Sequence, residues 1–258
     1  MKLIIIINNK GGVGKTTSAV NIASRFGQMG KKTLLADIDP SSSASSHLGL
    51  IKQDSEFNTI CDYLINKEDN IKDYIQKTEF KNLWCLPSEP ALSDFYDELQ
   101  QDEKISFFIK KEDIPAEFEY VIFDCPPNMG SLSLNALAVS DYALIPVQAQ
   151  YIALSGLELT LSLLEKVRRR VNPEIKILGL FGTHFDKRTK VSVQVMEQLR
   201  SRFGEQVFNS VIGINSKLSE AYNQKMPVSY LDKRASGSRD YELLSKEIIK
   251  RVREDERH

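Results

Sequence analysis

Residues Leu3 to Thr17 read LIIIINNKGGVGKTT, in which an aliphatic run passes into a glycine-rich segment. The five consecutive aliphatic residues predict a β-strand that is buried on both faces. The glycines that follow, Gly11, Gly12 and Gly14, have no Cβ, so backbone N–H groups can curl around an anion at the N-terminus of the next helix. The segment therefore predicts a phosphate-binding loop between a strand and a helix.

Side chains in this loop supply further groups that a nucleotide phosphate needs. Lys15 is placed to reach the β- and γ-phosphates, and the hydroxyl of Thr16 to hold Mg²⁺. The usual pattern of such loops, G-x-x-x-x-G-K-[ST], is not met, because Asn9 stands where the first glycine is expected. A second lysine, Lys10, precedes the glycine pair instead. The loop is therefore of an unusual type with two lysines.

Strand-like and helix-like patterns alternate along the chain. Strands are predicted at residues 3–7, 33–39, 83–87, 120–124, 142–147 and 175–181. Helices are predicted at residues 15–29, 154–171 and 241–252, with shorter helical patterns at 60–65 and 92–109. Residues 41–46 are predicted to form a loop that runs into a turn at Gly49. This alternation predicts a single α/β domain over residues 1–258, with a mostly parallel sheet covered by helices on both faces.

Aspartates end two of the predicted strands. Asp39 closes the strand at 33–39, and Asp124 closes the strand at 120–124. Because ligands of parallel sheets bind at the carboxyl ends of the strands, we expect Lys15, Asp39 and Asp124 to lie close together. Asp124 has the placement of an acid that engages Mg²⁺ directly or through water. Asp37 is a weaker candidate than Asp39 for direct contact with the ligand. We expect Asp37 to support the site without touching the ligand.

Composition and cysteine usage restrict the class of protein. The chain has 258 residues, of which 41% are hydrophobic and 27% charged, as in ordinary soluble globular proteins. No segment approaches 18 uninterrupted apolar residues, and the N-terminus shows no signal-peptide pattern, which predicts a cytoplasmic protein. Cys61, Cys85 and Cys125 are far apart, which indicates buried thiols and neither a disulfide framework nor a zinc site.

The net charge of −1 conceals an uneven distribution of charge. Residues 1–159 hold 14 basic and 22 acidic side chains, whereas residues 160–258 hold 20 basic and 13 acidic ones. The C-terminal part can therefore present a basic face to a polyanion.

The segment from Lys10 to Thr17 resembles the deviant Walker A motif of the ParA/MinD family of ATPases, in which the additional lysine is a signature. Other segments resemble the chromosomal and small plasmid ParA (Soj-like) branch, in the same order along the chain. They are DCPP at 124–127, LNAL at 134–137, IPVQ at 145–148, ALSGL at 153–157, DKRT at 186–189 and LSEA at 218–221. The resemblance covers nearly the whole chain, is weakest over 51–115, and implies a P-loop NTPase fold of the deviant Walker type.

This resemblance implies a site for ATP and Mg²⁺. The loop residues that it assigns to nucleotide binding are Lys10, Gly11, Gly12, Val13, Gly14, Lys15, Thr16 and Thr17. The resemblance assigns metal binding to Thr16 and Asp124. It assigns to Thr17 a hydrogen bond with the α-phosphate. The resemblance assigns catalytic roles to Lys15, Lys10 and Asp39. Lys10 is implied to reach the nucleotide of the partner subunit in an ATP-dependent homodimer, and Asp39 is implied to position or activate the attacking water. Ser41 stands where the family often has glutamine.

The resemblance also implies partners. Dimers of the family bind double-stranded DNA without sequence preference, and a ParB-type centromere-binding protein stimulates hydrolysis and releases them. Arg188 and Lys217 match basic positions implicated in DNA contact. A Pro-Arg-Asn triplet of the family reads Gly213-Ile214-Asn215 here, so one cation is missing, while Asn215 is expected to contact the adenine. The implied location is cytoplasmic and nucleoid-associated, with no membrane contact.

Other functions share part of this pattern. A MinD-like membrane ATPase needs an amphipathic C-terminal anchor, whereas the chain ends in REDERH, without apolar residues. An iron–sulfur reductase component of the nitrogenase-iron-protein type needs two suitably placed cysteines, and Cys125 is what the ParA branch has at its place. A ParA-like ATPase that positions a cargo other than DNA stays open, because the partner chooses the cargo. No DNA-reading domain precedes the loop, so we expect no operator-specific repression.

Overall fold

In this computed structural model the described residues are 1–52, 57–66, 69–94, 109–128, 130–150 and 153–257, of which 153–155 are described by their backbone alone. They form a seven-stranded sheet. Its strands are β1 (Lys2–Ile6), β2 (Thr33–Asp37), β3 (Gln76–Lys77), β4 (Leu83–Leu86), β5 (Tyr120–Asp124), β6 (Tyr142–Gln148) and β7 (Lys176–Thr183).

The strand order is β3-β4-β2-β5-β1-β6-β7. Neighbouring strands pair in parallel from β4 to β7, and β3 runs antiparallel to β4. The mostly parallel sheet that the sequence predicts is confirmed. Parallel pairing aligns the carboxyl ends of the strands, so that Asp124 lies level with Ile6 on one side and with Asp37 on the other.

Helices connect the strands. They are α1 (Lys15–Gln28), α2 (Ser43–His47), α3 (Ile60–Ile65), α4 (Ser131–Val139), α5 (Ala153–Arg170), α6 (Lys190–Phe203), α7 (Ser216–Asn223), α8 (Val228–Leu231) and α9 (Ser236–Asp255). The predictions for α1, α3 and α5 agree with the structure to within one residue at either end. The last helix is longer than the predicted 241–252. Within the described ranges, no helix combines the length and the apolar character needed to cross a membrane.

Alternate residues of β1 enter two separate apolar cores. Leu3 and Ile5 pack on the side that α4 and α5 cover, whereas Ile4 and Ile6 pack on the side that α1 and α9 cover. All four side chains are fully buried. The uninterrupted aliphatic run in the sequence is thus explained by a central strand that has helices on both faces.

The structure corrects one local prediction. Residues 41–46 are not simply a loop, because Ser43–His47 form the short helix α2, and the predicted turn at Gly49 follows it with a φ of 77°. The buried Asp37 carboxylate accepts hydrogen bonds from the backbone N–H and the hydroxyl of Ser45, at 2.8 and 2.7 Å. This satisfies an N–H of the first turn that would otherwise lack a partner, which stabilises a helix of low intrinsic propensity.

The predicted strand 33–39 ends at Asp37, two residues early. Helices α4, α6, α7 and α8 were not predicted from the sequence. Most of the helical pattern at 92–109 lies outside the described residues.

Candidate functional site

The glycine-rich loop joins β1 to α1 at the carboxyl edge of the sheet. Gly12 and Gly14 have φ values of 71° and 86°, a left-handed backbone that favours glycine. Gly14 directly precedes α1, whose first N–H groups have no helical partner. The loop therefore presents backbone donors and the positive end of α1 on the same side, which suits an anion.

Lys15 is folded back onto this loop. Its Nζ donates to the carbonyl oxygen of Lys10 at 3.2 Å, and only 7% of the residue is exposed. Burial lowers the pKa of the Lys15 ammonium, while the nearby Asp124 and Asp39 carboxylates act to raise it. A cation held in this way among loop donors can bind a phosphate by direct contact.

Three carboxylates stand beneath the loop, as the predicted convergence requires. Asp37 and Asp124 end the neighbouring strands β2 and β5 and are fully buried, and Asp39 follows two residues after β2. Burial and the neighbouring Asp37 raise the pKa of Asp124 well above its usual value, against the opposing effects of Thr16 and Lys15. Both carboxylate oxygens of Asp124 lack a well-formed hydrogen bond within the described part of the chain.

This carboxylate is suited to a cation. A buried acid without a partner is costly, and the facing hydroxyl of Thr16 adds a second hard oxygen donor. Mg²⁺ prefers such oxygen ligands and usually takes one or two carboxylates from the protein. The residues present therefore fit a Mg²⁺ ion between Thr16 and Asp124.

Asp39 lies in a constrained segment at the edge of the cleft. Its carboxylate accepts from the backbone N–H of Ser41 at 2.8 Å, and its own N–H donates to Asp37 at 3.2 Å. Burial raises the pKa of Asp37 to about 6. Asp37 thus ties Asp39 and Ser45 together beneath the site.

Lys10 projects beside the loop. Its Nζ donates to Oε1 of Gln148 at the end of β6, at 3.1 Å, and its backbone N–H donates to the side chain of Asn8 at 2.9 Å. Among the described side chains the ammonium of this half-buried residue bonds one neutral acceptor, which leaves it available for a further partner.

The loop forms one wall of a cleft of about 670 Å³. We call residues 10–17 the loop wall. The opposite side, which we call the far wall, comes from three segments: Thr183 at the end of β7 with the adjoining His184, residues 212–223 around α7, and Tyr241 on α9. The hydroxyl of Thr183 donates to the carbonyl oxygen of the buried Val13 at 2.8 Å, which fastens the two walls together.

Asn215 lies in the far wall, as the prediction of an adenine contact requires, but its amide is already engaged. The side-chain oxygen accepts from the N–H of Lys217 at 2.7 Å and caps α7, and the amide nitrogen donates to the hydroxyl of Ser236. Sequence reasoning missed Thr183, His184 and Tyr241. For Thr183 and His184 the signal was the carboxyl end of β7, the same positional rule that identifies Asp124, whereas Tyr241 on α9 carried no such signal.

Arg188 and Lys217, the predicted DNA contacts, lie on adjoining segments. The N–H of Phe185 donates to the carbonyl oxygen of Ile212, and the N–H of Ile214 donates to that of Phe185, at 3.0 and 3.2 Å. Arg188 is 83% exposed and bonds Asp186, whose pKa it lowers to about 2; Lys217 bonds Glu220. The exposed Lys217–Glu220 pair is weak, whereas Arg188 holds Asp186 through two hydrogen bonds of 2.9 Å. Both cations lie at the surface, where a phosphate can replace the carboxylate.

Comparison with known proteins identifies the family of the chain. A family model described as an AAA domain matches residues 1–177. The chromosome-partitioning ATPase Soj of Treponema pallidum is 38% identical over 252 residues, covering 97% of this chain and 98% of that protein. The sporulation initiation inhibitor protein Soj of Bacillus subtilis is also 38% identical, over 96% of this chain and 98% of its own.

Solved structures show the same fold. The cell division ATPase MinD of Pyrococcus furiosus aligns with a TM-score of 0.75 at 25% identity, covering 96% of this chain and 98% of the other. Cobyrinic acid a,c-diamide synthase of Mycobacterium smegmatis, in a structure with a bound ATP analog and magnesium, has a TM-score of 0.83 at 24% identity, covering 95% and 93%. With relatives of this name at 38% identity over nearly their full length, the chain belongs to the Soj/ParA family of chromosome-partitioning ATPases.

Proposed function

We propose that this protein is a DNA-partitioning ATPase that dimerises on ATP, binds DNA without sequence preference and is reset by hydrolysis. The observation that carries the proposal is a cleft lined by the phosphate loop, beside which Asp124 lies buried with no well-formed hydrogen bond to its carboxylate within the described residues. A carboxylate buried at such cost next to a cleft indicates a ligand site.

In the proposed site the chain's own groups divide the work. The loop amides and Lys15 hold the β- and γ-phosphates, and Thr17 bonds the α-phosphate. Thr16 and Asp124 hold Mg²⁺, which neutralises charge between the phosphates when bound. Asp39, fixed by Asp37 and Ser41, orients the attacking water.

The position of Lys10 supports the proposed dimerisation. Its ammonium donates to the neutral acceptor Gln148 on its own subunit, and a triphosphate is a stronger partner for it. We propose that Lys10 leaves Gln148 to reach the nucleotide of a second copy. Hydrolysis weakens that contact and returns the chain to the monomer.

DNA binding needs several cations at one surface, and its affinity comes largely from counterion release. Arg188 and Lys217 supply cations on adjoining segments next to the far wall. A dimer presents two such pairs, so that binding becomes dependent on ATP. Turnover is slow until a ParB-type partner stimulates it, and the protein resides on the nucleoid as one domain over its whole length.

The test is binding of an arbitrary DNA duplex with ATP, with ADP and without nucleotide, across a salt series. Wild type is compared with Arg188→Glu/Lys217→Glu. The matched control is Arg168→Glu/Arg169→Glu, which makes the same charge change on two exposed arginines at the end of α5 that also pair with an acid. A parallel arm tests flotation with anionic vesicles.

We expect ATP-dependent binding that weakens steeply with salt, is lost in the first double variant and is retained in the control. Equal loss in both variants would show only an effect of net charge. Nucleotide-dependent flotation without DNA binding would replace the DNA surface with a membrane.

A further inference from the structure

We propose that His184 contacts the bound nucleotide and takes up a proton when the nucleotide binds. This inference rests on the nucleotide site proposed above. It adds a residue that belongs to neither the loop nor the strand-terminal acids.

The side chain lies over the start of α1. His184 lines the cleft directly after β7, and its Cε1 is 3.9 Å from the point that a Cβ on Gly14 would occupy. Its Nδ1 lies 3.4 Å from the hydroxyl of Thr183, which is itself bonded to Val13. The imidazole is therefore fixed against the loop at the end where phosphates bind.

The backbone at this position is unusual. His184 has a φ of 51°, a left-handed conformation that costs free energy for a residue with a side chain. Residues held in this way are concentrated at ligand sites, where the surrounding structure enforces them. Here the enforced conformation directs the ring into the cleft.

The charges around the ring explain why the imidazole binds a proton when the nucleotide binds. Lys15 lines the cleft on the loop wall, Asp39 lines it from the segment after β2, and α7 and α9 contribute Tyr222 and Tyr241. Burial and the charge of Lys10 lower the pKa of His184, which keeps the ring neutral in the empty cleft. A triphosphate brings several negative charges to the same place and favours the imidazolium.

The proton comes from solvent buffer and binds a free ring nitrogen, with no other bond made or broken. Linkage then requires that nucleotide affinity rise as pH falls. The gain reaches at most about tenfold for each pH unit, because one group titrates.

The experiment is titration calorimetry of the full chain with Mg²⁺ and a non-hydrolysable ATP analogue. Proton uptake is obtained from two buffers of different ionisation enthalpy at pH 7, and affinity is measured from pH 8 to pH 6. The variant is His184→Asn, since asparagine tolerates the left-handed backbone but does not titrate. Thermal unfolding checks that the variant is folded.

We expect wild type to take up more protons than the variant and to gain about threefold to tenfold more affinity between pH 8 and pH 6. Equal uptake and equal pH dependence in the two proteins would overturn the inference while leaving the nucleotide site intact. Loss of binding at every pH in a folded variant would overturn the proton coupling. If wild type does not bind the analogue, the proposed function itself fails.

Discussion

The two walls of the cleft are built in opposite ways. The loop wall consists of eight consecutive residues, 10–17, and offers a ligand backbone N–H groups together with the side chains of Lys15, Thr16 and Thr17. The far wall is assembled from three segments separated by tens of residues, and it offers side chains. The hydrogen bond of 2.8 Å from the Thr183 hydroxyl to the Val13 carbonyl oxygen holds the walls together, and one of 3.0 Å between the hydroxyls of Tyr241 and Ser18, the residue after the loop wall, supports it.

This difference decides which wall a sequence can reveal. A backbone cradle needs residues without Cβ at fixed spacing, so a local sequence pattern is enough to identify it. A wall of side chains from distant segments leaves no such pattern. We therefore expect substitutions in the loop wall to remove ligand binding and substitutions in the far wall to adjust it.

The largest difference in affinity for an ATP analogue is expected between the variants Lys15→Ala and Asn215→Ala. Lys15→Ala removes a charged contact to phosphate and should weaken binding of an ATP analogue about a hundredfold. Asn215→Ala removes a helix cap, which should cost about 1 kcal/mol in the free energy of unfolding, and should weaken binding about fivefold or less. Calorimetric titration and urea unfolding measure the two effects.

Comparable losses of affinity in both variants would contradict this contrast between the walls. The Lys15→Ala protein should remain folded, because the change removes an ammonium that is already disfavoured by burial.

The same contrast accounts for what the sequence could predict. β1 and β5 were recognisable because buried parallel strands are continuous aliphatic runs, and Asp124 was recognisable because it ends one of them. α2 was missed, since a serine-rich segment has low helix propensity and Asp37 stabilises it through a tertiary contact. His184 carried no motif at all, because its place depends on how β7 packs beside the loop.

An intermediate effect is expected at His47, whose ring joins α2 to the end of the far wall. The effect is on the free energy of unfolding and depends on pH. The ring donates to the carbonyl oxygen of Met226 at 3.1 Å and packs 5.3 Å from the ring of Tyr222. It is 1% exposed, and burial lowers its pKa from 6.5 to about 4. Below pH 6.5 the unfolded chain binds a proton that the folded chain does not, so stability falls as the pH falls toward 4.

From pH 7.5 to pH 5 this group alone should remove about 2 kcal/mol from the free energy of unfolding. Urea unfolding at the two pH values measures the loss, and His47→Gln, which keeps a donor for Met226, should show a loss smaller by that amount. An equal pH dependence in the two proteins would place the acid sensitivity elsewhere.

The smallest effect is expected at Ile214, where the far wall meets the proposed DNA surface. This side chain is 63% exposed and lies in the segment bonded to the loop that carries Arg188. Ile214→Arg adds a cation there, so DNA affinity with ATP should rise about threefold to tenfold and the salt dependence should steepen by about one released counterion. The matched control is Ile65→Arg, because Ile65 on α3 is also 63% exposed. Equal gains in the two variants would assign the effect to net charge, whereas a gain at Ile214 alone places the far wall's outer edge against the phosphates.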